Sequence, residues 1–231
     1  MIYLSSDWVY HRDSYGNHSE REAATGYAAY GRSKVRGEAQ LAALLPDRHL
    51  ILRSSLIYGP PSPWKPELRS CLGWLISAYA ERKEVSVFND EYRTPVYIQS
   101  LIETIIAALR LFGGQASFSQ TLPGRLPGES LVVNVAGGER LSRYEMARIL
   151  FDVLDDMRPE ALKSKDLVRA ISRKKAGGPP RPIDLSLRTD RMNKWLGCSP
   201  LRMREAVVSL LHVMQARNEL DFFVSELINN D

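Results

Sequence analysis

The stretch Ile2-Tyr3-Leu4-Ser5-Ser6-Asp7 decides how the rest of the chain is read. An apolar run of three residues closed by two serines and an aspartate is too short for a helix. It matches a buried strand whose far end carries polar groups. Outward from it, Arg12 to Ala24 is polar and reads as a loop. Tyr27 to Leu45 is dense in Ala, Leu, Lys and Glu and reads as a helix that stops before Pro46. His49 to Arg53, with Leu50, Ile51 and Leu52 at its centre, reads as a second buried strand. Apolar strands alternating with helices predict an α/β fold with parallel pairing.

The pattern continues down the chain. Gly59-Pro60-Pro61-Ser62-Pro63 reads as a rigid loop closing the first strand-helix-strand unit. Leu68 to Arg82 has helical apolar spacing, Val85 to Phe88 is a short strand, and Ile98 to Leu111 is a second apolar helix. Gly113 to Gly128 is the longest flexible stretch, and Leu131 to Val135 a third apolar strand. Ser142 and Glu145 have capping-box spacing, in which each side chain satisfies the other residue's backbone amide at a helix start. Pro159 to Ile171 is expected to be helical, followed by a loop at Gly177-Gly178-Pro179-Pro180 and a short helix near Asp190 to Leu196. Ser199-Pro200 reads as cap and first turn of a final helical region.

Composition narrows the function classes. The 231 residues suffice for one substantial core, or two lobes sharing one. With 44% hydrophobic and 25% charged residues, neither disorder nor a fibrous repeat is suggested. The net charge of +4 comes from 31 basic and 27 acidic residues spread along the chain, so no nucleic-acid partner is expected. Cys71 and Cys198 have neither metal-like spacing nor a CxxC pair, which predicts no metal site, no disulfide framework and a reduced, cytoplasmic setting. No basic leader precedes the first apolar run, and no stretch reaches the roughly 20 apolar residues of a membrane span.

Tyr30 and Lys34 stand four apart on the expected first helix, so their side chains leave one face with their heads in mutual reach. A tyrosine titrates near pH ~10, and a neighbouring ammonium lowers that value by stabilising the phenolate. Such a pair can exchange a proton with a carbinol or carbonyl oxygen. Ser6, at the end of the first strand, lies where parallel sheets place their ligand-facing loops and can hydrogen-bond the same oxygen. Each residue also has an ordinary reading, an exposed helix face for the pair and a strand-end cap for the serine.

Taken together, Ser5-Ser6-Asp7-Trp8-Val9-Tyr10, Tyr30-Gly31-Arg32-Ser33-Lys34 with Gly37-Glu38, and Leu52-Arg53-Ser54-Ser55-Leu56-Ile57-Tyr58-Gly59-Pro60 resemble the extended short-chain dehydrogenase/reductases, in their dTDP-4-dehydrorhamnose reductase-like branch. Asp90 to Pro95, Asn134 to Gly137, Leu141-Ser142 and Arg181-Pro182 extend the resemblance over nearly the whole chain. It implies that Ser6 orients a substrate carbonyl, Tyr30 protonates it, and Lys34 tunes Tyr30 while bonding the nicotinamide ribose. Ser54 and Ser55 would lie beside the nicotinamide of NADP or NAD, and Asp7, Arg93 and Arg181 near the substrate, a nucleotide sugar. Dehydratases of the family carry an acidic pair after the hydroxyl residue; here Asp7 is followed by Trp8, the pattern of a reductase.

The same resemblance implies a carboxyl-terminal part of a Rossmann-like parallel sheet, 1–60 and 95–136, with a smaller, mostly helical substrate-binding cap, 61–94 and 137–231. The pairs Gly113-Gly114, Gly137-Gly138 and Gly177-Gly178 do not form the glycine-rich strand-to-helix turn that cradles a dinucleotide. The expectation is therefore a truncated reductase whose cofactor-binding half is missing and whose cofactor binding is impaired. The other expectation is a non-catalytic regulatory or scaffold protein like the methionine adenosyltransferase beta subunits, which resemble the same reductases. Both leave room for homo- or hetero-oligomers.

Overall fold

The computed structural model describes residues 1–10, 15–61, 70–112, 122, 130–157, 164–176 and 181–220. The stretch expected to be flexible, 113–128 apart from Leu122, and the loop at 177–180 lie outside them. In chain order the elements are β1 (Ile2–Ser6), α1 (Ala29–Leu44), β2 (Leu50–Ser54), β3 (Ile57–Tyr58), α2 (Cys71–Ala80), β4 (Val85–Phe88), β5 (Tyr92–Arg93), β6 (Val96–Tyr97) and α3 (Ile98–Phe112). Then follow β7 (Val132–Val135), β8 (Leu141–Ser142), α4 (Arg143–Met157), β9 (Val168–Ile171), α5 (Arg173–Ala176), α6 (Asp190–Leu196) and α7 (Met203–Ala216). They form two compact units.

The first unit comprises Met1–Ile57, Tyr92–Arg140 and Pro179–Leu201. Its sheet has the order β1-β2-β7, all parallel, with Ile2 opposite Leu50 and Ile51 opposite Val132. Every residue of β2 is buried, because it is the central strand and is covered on both faces. Leu50 and Leu52 point to one face and pack with Val133, Val135, Leu101, Ala108 of α3 and Trp195 of α6. Ile51 and Val132 point to the other, against Leu41 of α1. The sequence reading placed 179–201 with the cap; instead α6 belongs to the first unit, since Met192 and Trp195 are part of this core.

The approach to α1 is set locally. Thr25 and Gly26 both donate their amides to the Val9 carbonyl at 2.9 Å, folding the segment before α1 back onto the end of β1. Gly26 makes that turn at φ +67°, a region glycine enters without steric cost. Gly31 then lets α1 approach closely: a Cβ there would run into the Trp8 carbonyl oxygen.

The second unit comprises Tyr58–Glu91, Leu141–Gly178 and Arg202–Asp231. Here β4 and β9 pair in parallel, Val85 opposite Val168. Phe151 of α4 is fully buried and meets the Tyr79 ring of α2 edge-on at 5.3 Å. The α4 start follows the capping-box reading: Ser142 N donates to Glu145 Oε2 at 2.7 Å and Glu145 N to Ser142 Oγ at 3.2 Å.

Two expected helices differ. Val168 to Ile171 forms a strand, not the end of a helix, because its amides and carbonyls find a ladder on β4, and β-branched residues at both ends suit a pleated surface. Ser199-Pro200 does not open the last helix. The chain stays extended there, Gly138 N binding the Leu201 carbonyl at 2.8 Å, and α7 begins at Met203, where Arg202 N donates to Glu205 Oε2 at 3.3 Å.

Candidate functional site

The carboxyl ends of β1 and β2 gather most of the residues singled out in the sequence. Ser6 accepts a hydrogen bond from Trp8 N at 3.3 Å, which closes a 3-10 turn over Asp7–Val9, and donates to Asp7 Oδ1 at 3.0 Å. Asp7 is 3% exposed. Its other oxygen accepts from Ser55 Oγ at 3.4 Å and faces Arg93 Nε at 3.8 Å. Burial pushes the Asp7 carboxyl above the usual carboxylate range, against the opposing pull of Arg93, Ser6 and Ser55. Ser6, Asp7, Ser55 and Arg93 thus make one connected polar group inside the first unit.

Tyr30, in the first turn of α1, is 51% exposed and its ring meets that of Trp8 edge-on, centroids 6.2 Å apart. The Lys34 ammonium sits 5.8 Å from the Tyr30 ring centre and 5.2 Å from that of Tyr3. It donates to the Leu4 carbonyl of β1 at 2.9 Å. A phenol and an ammonium therefore stand together beside the end of β1, both open to a ligand.

Other expected residues are placed differently. Arg93 turns inward, 7% exposed, with Nη1 on the Tyr92 carbonyl at 2.6 Å, so its fork is not offered outward. Ser54 is buried and donates to the Ser55 carbonyl at 3.0 Å. Arg181 is exposed on the segment leading to Asp184, and among the described residues no hydrogen bond or ion pair joins it to the Asp7 group.

Sequence reasoning passed over a second, fully buried network. Glu38 of α1 accepts Arg53 Nε at 3.1 Å, Arg53 Nη2 at 2.7 Å and Ser5 Oγ at 2.5 Å. Arg53 Nη1 donates to Tyr10 OH at 3.0 Å, and Tyr10 donates to Asn134 Oδ1 at 2.7 Å. Beyond it, Glu20 Oε1 accepts from Asn134 N at 3.0 Å and covers the free edge of β7. The signal was present in Arg53, a lone charge inside an apolar strand, since such a charge needs a buried partner.

A parallel sheet with a helix on either face, bearing a hydroxyl at one strand end and a Tyr-Lys pair on the adjoining helix, defines an α/β protein of the Rossmann-like class. The family described as the RmlD substrate binding domain matches residues 1–216, and the chain belongs to that family. It is 27% identical over 162 residues to a dTDP-4-keto-6-deoxy-D-glucose reductase of Streptomyces niveus, covering 62% of this chain and 54% of the relative. Over 216 residues it is 26% identical to a probable dTDP-4,6-dihydroxy-2-methyloxan-3-one 4-ketoreductase of Streptomyces antibioticus, 91% of this chain and 63% of the relative. The chain thus spans less than two thirds of these relatives' length.

Its fold is that of a dTDP-4-dehydrorhamnose reductase of Clostridium acetobutylicum, with a TM-score of 0.72 at 17% identity, covering 93% of this chain and 65% of that one. The Bacillus anthracis dTDP-4-dehydrorhamnose reductase, solved in complex with NADP, gives 0.68 at 21%, covering 92% and 65%.

For a dinucleotide, the described residues fit one end only. Tyr30 and Lys34 would present a hydroxyl and an ammonium to a nicotinamide ribose, whereas no turn among the described residues joins a strand to a helix through closely spaced glycines that would admit a pyrophosphate. No group of three or more His, Cys, Asp or Glu side chains suited to a metal occurs among them, and none of their helices is long and apolar enough to cross a membrane.

Proposed function

We propose that this chain supplies the proton-donating and substrate-facing part of an NAD(P)H-dependent reductase acting on a keto sugar nucleotide of the dTDP-4-dehydrorhamnose type. The observation that carries this reading is the meeting of Tyr30 and Lys34 with the Ser6 end of β1, in a chain matched to the family over residues 1–216. When bound, the nicotinamide would supply the hydride. Tyr30 would deliver its phenolic proton to the substrate oxygen, the Lys34 ammonium would stabilise the phenolate left behind, and Ser6 would hydrogen-bond the same oxygen. For Ser6 to donate outward its proton must leave Asp7, which a rotation of the hydroxyl achieves. Arg181, exposed, is suited to meet a diphosphate through its planar fork. Asp7, Arg93, Ser54 and Ser55 would act from below, holding Ser6 and the floor under the nicotinamide.

The test is NADPH oxidation with a dTDP-4-keto-6-deoxy sugar by this chain joined to a dinucleotide-binding half. Tyr30→Phe is expected to lower the rate by about 10²–10⁴, the usual worth of a positioned proton donor; an unchanged rate would falsify the assignment. Calorimetry of the chain with NADPH alone should register weak binding, since the ribose end is served but not the pyrophosphate.

A regulatory role is favoured by one specific observation, that no strand-to-helix turn among the described residues carries the closely spaced glycines that a pyrophosphate needs. A stable partner protein whose activity is the same with wild-type chain and Tyr30→Phe would select that reading.

A further inference from the structure

We propose that Glu38 and Arg53 form a positioning clamp that sets where α1 presents Tyr30 and Lys34 beside the end of β1. The inference rests on the reading that those two residues carry the chemistry. Tyr30, Lys34 and Glu38 follow one another at intervals of four, so one stripe of α1 faces the strands. At the end of that stripe the Glu38 carboxylate is held from two strands at once. Ser5, which donates to it at 2.5 Å, directly precedes Ser6; Arg53, which donates twice at 3.1 and 2.7 Å, directly precedes Ser54. One side chain on the helix therefore fixes the helix against the last turns of both strands that carry the candidate site.

The chain of bonds reaches the third strand. Arg53 Nη1 binds Tyr10 OH, and Tyr10 binds Asn134 of β7, so the clamp spans the whole sheet beneath α1. The planar guanidinium matters because its two nitrogens meet two carboxylate oxygens in a fixed relative orientation, which a flexible ammonium cannot reproduce. Both side chains are buried, 5% and 8% exposed. A buried ion pair is seldom justified by stability, because desolvation cancels most of the attraction. What it adds is a single allowed geometry. Around the pair, Tyr10 is pushed up to about 12 by burial, and Arg53, although burial opposes its charge, is held above its ordinary range by Glu38 and Tyr10.

The experiment reads the position of α1 directly, through nuclear Overhauser contacts between the Trp8 and Tyr30 rings in the 231-residue chain. Glu38→Gln leaves Arg53 buried without its charge partner and can unfold the protein. The decisive variant is therefore E38L/R53M, which removes both charges at similar volume. It should fold with a Tm near wild type while the Trp8–Tyr30 cross-peaks weaken about threefold, as a helix shift near 1 Å would give. Ser5→Ala, which removes one bond of the clamp, should give a smaller loss in the same direction. Undiminished cross-peaks in a folded E38L/R53M overturn the proposal, and so does failure of that variant to fold, which would make the pair a folding determinant. A separate arm follows Tyr30 titration by carbon-13 resonance at Cζ in wild type and Lys34→Met, assigned with Tyr30→Phe. If Lys34→Met leaves Tyr30 unmoved, the proton-donor reading fails on its own, and the ring contacts still decide the clamp.

Discussion

Asp7 shows how a single buried carboxyl turns the site into a pH-dependent feature of the fold. Burial raises its pKa, so the folded protein holds this proton more tightly than the unfolded chain, whose value is near 3.8. The stability that the proton confers is complete below the unfolded value and is lost as pH rises through the folded one. Asp7→Asn abolishes this dependence. Its urea midpoint is expected to improve relative to wild type as pH increases across that window, and a difference independent of pH would contradict the assignment. Among single residues, Tyr30 and Lys34 were legible because four-residue spacing places two heads together on any helix. Asp7 and Arg93 were legible as residues but not in orientation. Their side chains turn inward because each finds its counter-charge inside the unit, a pairing between positions 7 and 93 that no local pattern announces.

At the level of elements, α1 carries the candidate pair Tyr30 and Lys34, and its placement depends on Gly31. Gly31→Ala adds helix propensity worth about 1 kcal/mol, yet the new methyl meets the Trp8 carbonyl, and overpacking of that kind costs about 1–3 kcal/mol. A net loss of stability in urea unfolding is the expected result, with the Trp8–Tyr30 ring contact weakened. Ser142→Ala tests the capping box of α4, where losing the side-chain acceptor for Glu145 N should cost about 1 kcal/mol by the same measurement. That cap was readable because both partners lie within one turn. The strand at Val168–Ile171 was not, because its partner lies at Val85–Phe88 and the ladder between them outweighs local helical preference. The same holds for the entry to α7, where the Gly138 contact keeps Leu201 out of the helix.

In the molecule as a whole, β1 lies at one edge of the three-stranded sheet, whereas β7 at the other is covered by Glu20. Leu50 N bonds the Met1 carbonyl, so the alternate residue Leu4 directs its backbone away from β2. Only the Lys34 bond to the Leu4 carbonyl is seen there among the described residues, and the Leu4 side chain is 39% exposed. Such an edge favours pairing with another strand. Sedimentation velocity should register concentration-dependent association of the wild type that Leu4→Lys reduces; equal association of both would exclude this edge. By itself the sequence determined the parallel strand-helix-strand core, the family and the Tyr30–Lys34 pair, since all three are written in apolar runs, turn residues and spacings of a few positions. Only the tertiary structure decided that α6 packs into the core of the first unit, that 168–171 is a strand, and that Glu38 reaches Ser5 and Arg53. Those outcomes depend on which distant groups can desolvate together, and burial is a property of the assembled core rather than of any segment.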